Sequence, residues 1–296
     1  MKISFALLGA WLMVLAQATA QVTVELVPSQ DQFLPAESLP IAARITNLSG
    51  QSLTCGADAE WLTFSVVSRD GFVVSEVQKV PVQGEFTLDS SKVATKHVDL
   101  SPCFNMTKPG RYEVTATVRI KDWNQQFTSK PCPVEIIPGS KLRELEFGVP
   151  QPGGSPEVRK YALLQANYLK QLMLYVRVTD AAESKVFKVF TLGRMISFSE
   201  PEPQVDKAGN LHVLWQTSAR GFAYRMVSPD GEVVASQTYD YVGTHPRLYL
   251  DQAGKISVAG GVRRLTRDDL PVEAPAPPAA VPVPAEASTN APAALK

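Results

Sequence analysis

The sequence predicts an all-β protein, with an antiparallel sandwich over 21–138 and a second, open β-domain over 139–270. Three observations lead to that class. Apolar and polar residues alternate with a period of two through the first half, most cleanly over residues 111–120. Short apolar runs are bounded by Gly, Pro, Asn, Asp and Ser clusters throughout. In the second half, a turn of the form Asp-x-x-Gly leads into an apolar run twice, 45 residues apart.

The first twenty residues stand apart from this pattern. Lys2 precedes a 13-residue uncharged apolar run, Ile3 to Leu15, and Ala18-Thr19-Ala20 follows as a small-x-small site. That is the grammar of a cleaved export signal, so the mature chain is expected to start at Gln21. A membrane anchor is the competing reading, but thirteen residues fall short of ~30 Å of hydrocarbon at ~1.5 Å per residue. The expected location is periplasmic or extracellular, with no transmembrane segment. Composition narrows the partners: 29 Lys+Arg balance 29 Asp+Glu in 296 residues, and aromatics are 8%. No broad basic field is available for nucleic acid or an anionic membrane.

Val22, Val24 and Leu26 alternate with polar residues, as do Ile41, Ala43 and Ile45 before the turn Asn47-Leu48-Ser49-Gly50. Leu62, Phe64 and Val66 form a third inward row, and Ser68-Arg69-Asp70-Gly71 is expected to close a hairpin into Phe72-Val73-Val74. After Pro109-Gly110, the residues Tyr112, Val114, Ala116, Val118 and Ile120 point one way and Arg111, Glu113, Thr115, Thr117 and Arg119 the other. The chain turns at Asp122-Trp123-Asn124 and returns over 126–137, where Pro131 and Pro133 imply a bent or edge strand.

The segment Pro109-Gly110-Arg111-Tyr112-Glu113-Val114 resembles the approach to the sixth strand of immunoglobulin-like domains, including bacterial and macroglobulin-type versions. The resemblance implies that Tyr112 is a corner tyrosine and that adhesion or protein contact is the usual use of the fold. Val114 stands where antibody domains carry cysteine, so the usual inter-sheet disulfide is absent.

Beyond the turn-rich stretch 149–156, Asp206-Lys207-Ala208-Gly209-Asn210-Leu211 echoes Asp251-Gln252-Ala253-Gly254-Lys255-Ile256. Tyr175 to Asp180 echoes Tyr224 to Asp230 at 49 residues. Such periods resemble β-propeller blades. About 130 residues hold fewer than three blades, so a closed monomeric propeller is excluded. Over 159–175, Tyr161, Leu164, Tyr168, Leu172 and Tyr175 follow helical spacing, while Leu172, Leu174, Val176 and Val178 alternate. The β-rich flanks favour strands. From 271 onward, 7 Pro and 9 Ala in 26 residues predict an extended tail without a core.

Chemistry is sparse. His97, His212 and His245 are isolated, with a structural role expected for His212 between Leu211 and Val213. No nucleophile elbow, phosphate loop or zinc spacing occurs, and neither a cofactor nor a metal is expected. Asp58, Glu60 and Asp70 do not form a calcium loop. Arg263, Arg264 and Arg267 lie beside Asp268 and Asp269, and Gly260-Gly261 reads as a strand bulge. Asn47 and Asn105 head glycosylation sequons. Cys55 and Cys132 share parity with core-facing neighbours and are the expected disulfide, with Cys103 free. Trp123 is the candidate ligand-stacking residue. The expected function is an exported, non-catalytic binding or scaffolding protein whose partner is a protein or polysaccharide of the envelope. The rivals are a carbohydrate-binding accessory module, using Trp123 or Trp61, and a protease inhibitor.

Overall fold

The computed structural model describes residues 22–150 and 156–270. The expected export signal over 1–20, most of the 149–156 turn and the 271–296 tail lie outside the described residues.

The first half contains β1 (Val22–Pro28), β2 (Gln32–Phe33), β3 (Pro40–Asn47), β4 (Leu53–Cys55), β5 (Leu62–Ser68), β6 (Phe86–Leu88), β7 (Val93–Asp99), β8 (Gly110–Ile120), β9 (Gln125–Thr128) and β10 (Cys132–Ile136). One sheet runs β1-β3-β7 and the facing sheet β2-β10-β8-β5, with β9 also on β8 and β4 paired to β6. β2 is parallel to β10, while the other pairs are antiparallel. Ile41, Ala43 and Ile45 belong to the same buried core as Tyr112, Val114, Ala116 and Val118, as their alternation required. The Tyr112 hydroxyl donates to the Lys108 carbonyl at 2.6 Å and so fixes the lead into β8.

Two local expectations are corrected. Phe72-Val73-Val74 is not a strand. Phe72 instead packs edge-on against Tyr112 at 5.5 Å, and Val73 is 92% exposed. The Asp70 carboxylate accepts from the Arg111 backbone N–H at 2.7 Å, which ties the turn to β8 and leaves 69–85 as a long loop. The return strand is broken between β9 and β10 around Pro131, which has no N–H to give the ladder.

The second half contains β11 (Ser140–Val149), β12 (Glu157–Tyr168), β13 (Gln171–Asp180), β14 (Val186–Arg194), β15 (Glu202–Val205), β16 (Leu211–Gln216), β17 (Gly221–Val227), β18 (Val233–Asp240), β19 (Arg247–Leu250), β20 (Ile256–Ala259) and β21 (Val262–Arg264). The ambiguous segment 159–175 is therefore strand. β11-β12-β13-β14 and β15-β16-β17-β18 are two antiparallel meanders, each of four consecutive strands. β19-β20 begins a third and stops after two strands, because β21 returns to pair with β18. Among the described residues no propeller closes.

The layers stack in chain order. Leu34 and Ile137 of the sandwich pack with Ala162, Leu164 and Tyr175 on one face of the first meander. Its other face, through Tyr161, Leu163, Val176 and Val178, packs on Leu211, Val213 and Trp215 of the second. The far face of the second meander, with Leu214, Phe222 and Tyr224, receives Leu248 and Ile256 of the hairpin. The Tyr161 hydroxyl crosses between the meanders to the Gly209 carbonyl at 2.9 Å.

The echoed turns have the same structure. Asp206 N–H donates to Asn210 O and Asp251 N–H to Lys255 O, each at 3.0 Å. Each carboxylate accepts from the backbone N–H four residues on at 2.8 Å, and Gly209 and Gly254 have φ of +83° and +82°. Ser228 to Glu232 repeats the geometry with a serine hydroxyl in place of the carboxylate. Gly260-Gly261 is corrected from a bulge to the joint between two sheets. Both glycines have positive φ, and a Cβ would meet His245 O at 2.6 Å or Pro246 Cγ at 2.6 Å.

Candidate functional site

The second meander places its polar residues on the face turned towards the β19–β20 hairpin. On β16, Leu211, Val213 and Trp215 face the first meander, which turns His212 and Leu214 to the opposite side. His212 is 3% exposed. Its Nε2 lies 3.1 Å from Asp206 Oδ2 and its Nδ1 2.8 Å from the Tyr224 hydroxyl. A carboxylate can only accept, so the matching neutral tautomer carries hydrogen on Nε2, and Nδ1 accepts from Tyr224.

Asp206 is saturated. One oxygen accepts from the Ala208 and Asn210 backbone N–H groups, the other from the Asn210 amide and His212. Burial alone pushes its carboxyl up, but these hydrogen bonds outweigh burial and hold it below 3.8. Tyr224 is pushed up to about 12, first by burial and then by Tyr239 and Asp206. The hydroxyl therefore keeps its proton at neutral pH and supplies no nucleophile.

Beside this set lies a cleft of about 490 Å³. Tyr224, Met226, Ala235, Gln237 and Tyr239 form its floor, and Lys255, Ile256, Ser257 and Val258 its wall. The Tyr239 hydroxyl donates to Gln237 Oε1 at 2.6 Å. The cleft lies where the hairpin, packed through Leu248 and Ile256 on Leu214, Phe222, Tyr224 and Ala235, meets the second meander.

The residues singled out from sequence are dispersed. Trp123 ends a 3-10 turn, Lys121–Trp123, half-buried and edge-on to Phe127 at 6.5 Å. Trp61 is buried, and its Nε1 donates to Val82 O at 2.6 Å, so it offers no stacking face. Cys55 on β4 and Cys132 on β10 are both buried and unbridged, as is Cys103. The expected Cys55–Cys132 bond is not formed in this structure: Cys55 sits in the β4–β6 ribbon opposite Phe86, and Cys132 in the β8–β10 pair opposite Val114. Burial pushes all three thiols up. Asp58 pairs with Arg119 at 2.9 Å, Asp70 with Arg111 at 3.3 Å and Glu60 with Lys79 at 3.8 Å. Arg263 bonds Asp269 at 3.2 Å and Arg264 lies 3.7 Å from Asp240. Among the described residues, no group of three or more His, Cys, Asp or Glu gathers to hold a metal. No described helix is long and apolar enough to cross a membrane. Asn47 is buried, its amide donating to Gln51 O and Leu88 O, so this sequon is closed to modification, whereas Asn105 is exposed.

The sequence singled out His212 as an isolated histidine between apolar neighbours and did not place Tyr224, Gln237 and Tyr239 beside it. The Tyr175–Tyr224 echo was the available signal, since both tyrosines occupy the outer face of the third strand of their meander.

No protein-family model matches the chain, and no curated protein matches it in sequence. Among solved structures it is similar to the sporulation control protein Spo0M of Bacillus subtilis, at 8% identity and TM-score 0.29. That match covers 58% of this chain and 91% of that one. The score lies below what defines a shared fold.

Proposed function

We propose that the chain is an exported, non-catalytic binding or scaffolding protein of the cell envelope or extracellular space. The observation that carries this reading is the Asp206–His212–Tyr224 set, the acid–base constellation gathered in a cleft. Its polar atoms are matched within the set and its own turn. It supports the junction of β15, β16 and β17 and leaves neither a free base nor an activated nucleophile. The stack of sandwich, meanders and hairpin offers extended surface instead. The resemblance to immunoglobulin-like domains adds protein contact as the usual use of such a surface.

The test has two parts. N-terminal sequencing of the chain recovered from fractionated host cells is expected to start at Gln21, outside the cytoplasm. Mature chain immobilised and exposed to envelope extract is expected to retain a saturable partner. A cytoplasmic chain with Met1 intact overturns the location. Turnover of a small substrate that His212→Ala abolishes overturns the non-catalytic reading.

A further inference from the structure

We propose that the chain inhibits serine proteases whose specificity pocket is small and apolar, and that Val73 is the side chain it offers to that pocket. The inference names a partner class for the non-catalytic binding reading above and rests on it. Val73 lies in the long loop that joins β5 to β6 and is 92% exposed, more than any other large hydrophobic among the described residues. Phe72 and Val74 on either side pack against the sandwich core. In, out, in is the period of an extended chain, yet residues 72–75 belong to no strand, and none of them has a positive φ. An extended segment outside any sheet, with alternate side chains turned outward, is what a protease cleft takes up, main chain by strand addition and side chain by pocket. A short β-branched side chain suits a small apolar pocket better than a long hydrophobic slot or one floored by a carboxylate.

The loop is tied on both sides of Val73, which separates an inhibitor from a substrate. Before it, Arg69 N–H donates to Arg111 O at 2.9 Å, Arg111 N–H donates to the Asp70 carboxylate at 2.7 Å, and the Phe72 ring sits edge-on to Tyr112. After it, Asn105 N–H donates to Ser75 O at 2.9 Å, Glu76 bridges to Phe104, and Val77 N–H donates to Cys103 O at 2.8 Å. Attack by the protease's serine oxygen on the Val73 carbonyl carbon forms an acyl ester and breaks the Val73–Val74 C–N bond. The serine's proton passes through the protease's histidine to the Val74 nitrogen. The clamps keep that amine beside the ester, where a well-oriented neighbour reacts as though present at ~10⁵–10⁸ M. Re-attack reforms the peptide bond and returns the proton before water cleaves the ester. The same clamps hold the bound shape in the free chain, so little ordering is needed on binding.

The test follows hydrolysis of chromogenic peptides by purified serine proteases titrated with the full mature chain. One protease has a small apolar pocket, one a long hydrophobic slot, and one cuts after basic residues. Inhibition of the first is expected, with the loop recovered intact by mass spectrometry. Val73→Asp, at a site exposed enough to leave folding unchanged, is expected to weaken inhibition at least about a hundredfold, because a carboxylate would enter the apolar pocket unpaired. Val73→Lys is expected to transfer inhibition to the protease that cuts after basic residues. No inhibition of the first protease, inhibition that Val73→Asp leaves unchanged, or rapid cleavage of the unaltered loop overturns the proposal. Capture of an envelope partner is decided separately by the extract experiment above, so the two readings can fail independently.

Discussion

Tyr161→Phe removes one oxygen from the seam between the two meanders. Tyr161 is fully buried, its ring stacked on Phe147 with centroids 4.2 Å apart and planes 12° from parallel. Its hydroxyl donates to Gly209 O at 2.9 Å, with Val227 O at 3.4 Å as a second neighbour. Phenylalanine keeps the stacking and the apolar area, so the change isolates the hydrogen bond. The Gly209 carbonyl would then be buried without this donor, a loss of about 1–3 kcal/mol. A central value of about 2 kcal/mol corresponds to roughly 4–8 °C in Tm for a unit of this size. Tyr161→Leu also removes the ring and leaves a cavity, and is expected to cost about 3–5 kcal/mol. Urea unfolding followed by far-UV circular dichroism is the assay, with the slope required to stay constant so that the midpoint reports stability. A Tyr161→Phe shift below about 0.5 kcal/mol would refute the claim that this hydroxyl couples the meanders.

Further outcomes follow from other sites. The β12–β13 hairpin turns on Leu169 and Lys170, with φ of +45° and +66°, and Leu169 is 62% exposed. Asn-Gly in their place is expected to stabilise by about 1 kcal/mol, because non-glycine residues pay about 1–2 kcal/mol each in that conformation and glycine returns part as entropy; a lower midpoint would mean that Leu169 packs more than its exposure shows. Asp206, depressed below 3.8, contributes stability present above that pH and lost as pH falls through its folded value, so Asp206→Asn should flatten the acid limb of a stability–pH curve. Glu37 runs the other way: burial raises it above 4.5 despite bonds from Leu34 N–H and Gln30, so its contribution falls as pH rises through the folded value. Glu37→Gln should therefore stabilise at pH 7 and not at pH 4, and equal effects at both would contradict the assignment. Thiol titration is expected to count three slow cysteines natively and three fast ones in denaturant; a single thiol after denaturation would show a bridge.

Alternation made β8 legible from sequence because that strand has one buried face and one wet face, so hydrophobicity itself reports the period. The Asp-x-x-Gly turns were legible because their chemistry is local: the carboxylate at 206 or 251 caps an N–H four residues away, and glycine supplies the left-handed backbone. Residues 159–175 resisted, since helical spacing of Tyr161, Leu164, Tyr168, Leu172 and Tyr175 competed with alternation. Tertiary structure decided it by burying both faces, with Ala162 and Leu164 against the sandwich side and Tyr161 and Leu163 against the second meander. A strand wet on neither face has no hydrophobic period to display. His212 and Asp206 are six residues apart, yet Tyr224 reaches His212 through the β16–β17 register, in which His212 faces Met226 and Leu214 faces Tyr224. The cleft is less local still. It depends on the chain abandoning the third meander at Gly260-Gly261 and returning to β18, because the long-range pairing of β21 at Thr238, Tyr239 and Asp240 takes the residues that would otherwise have continued the hairpin.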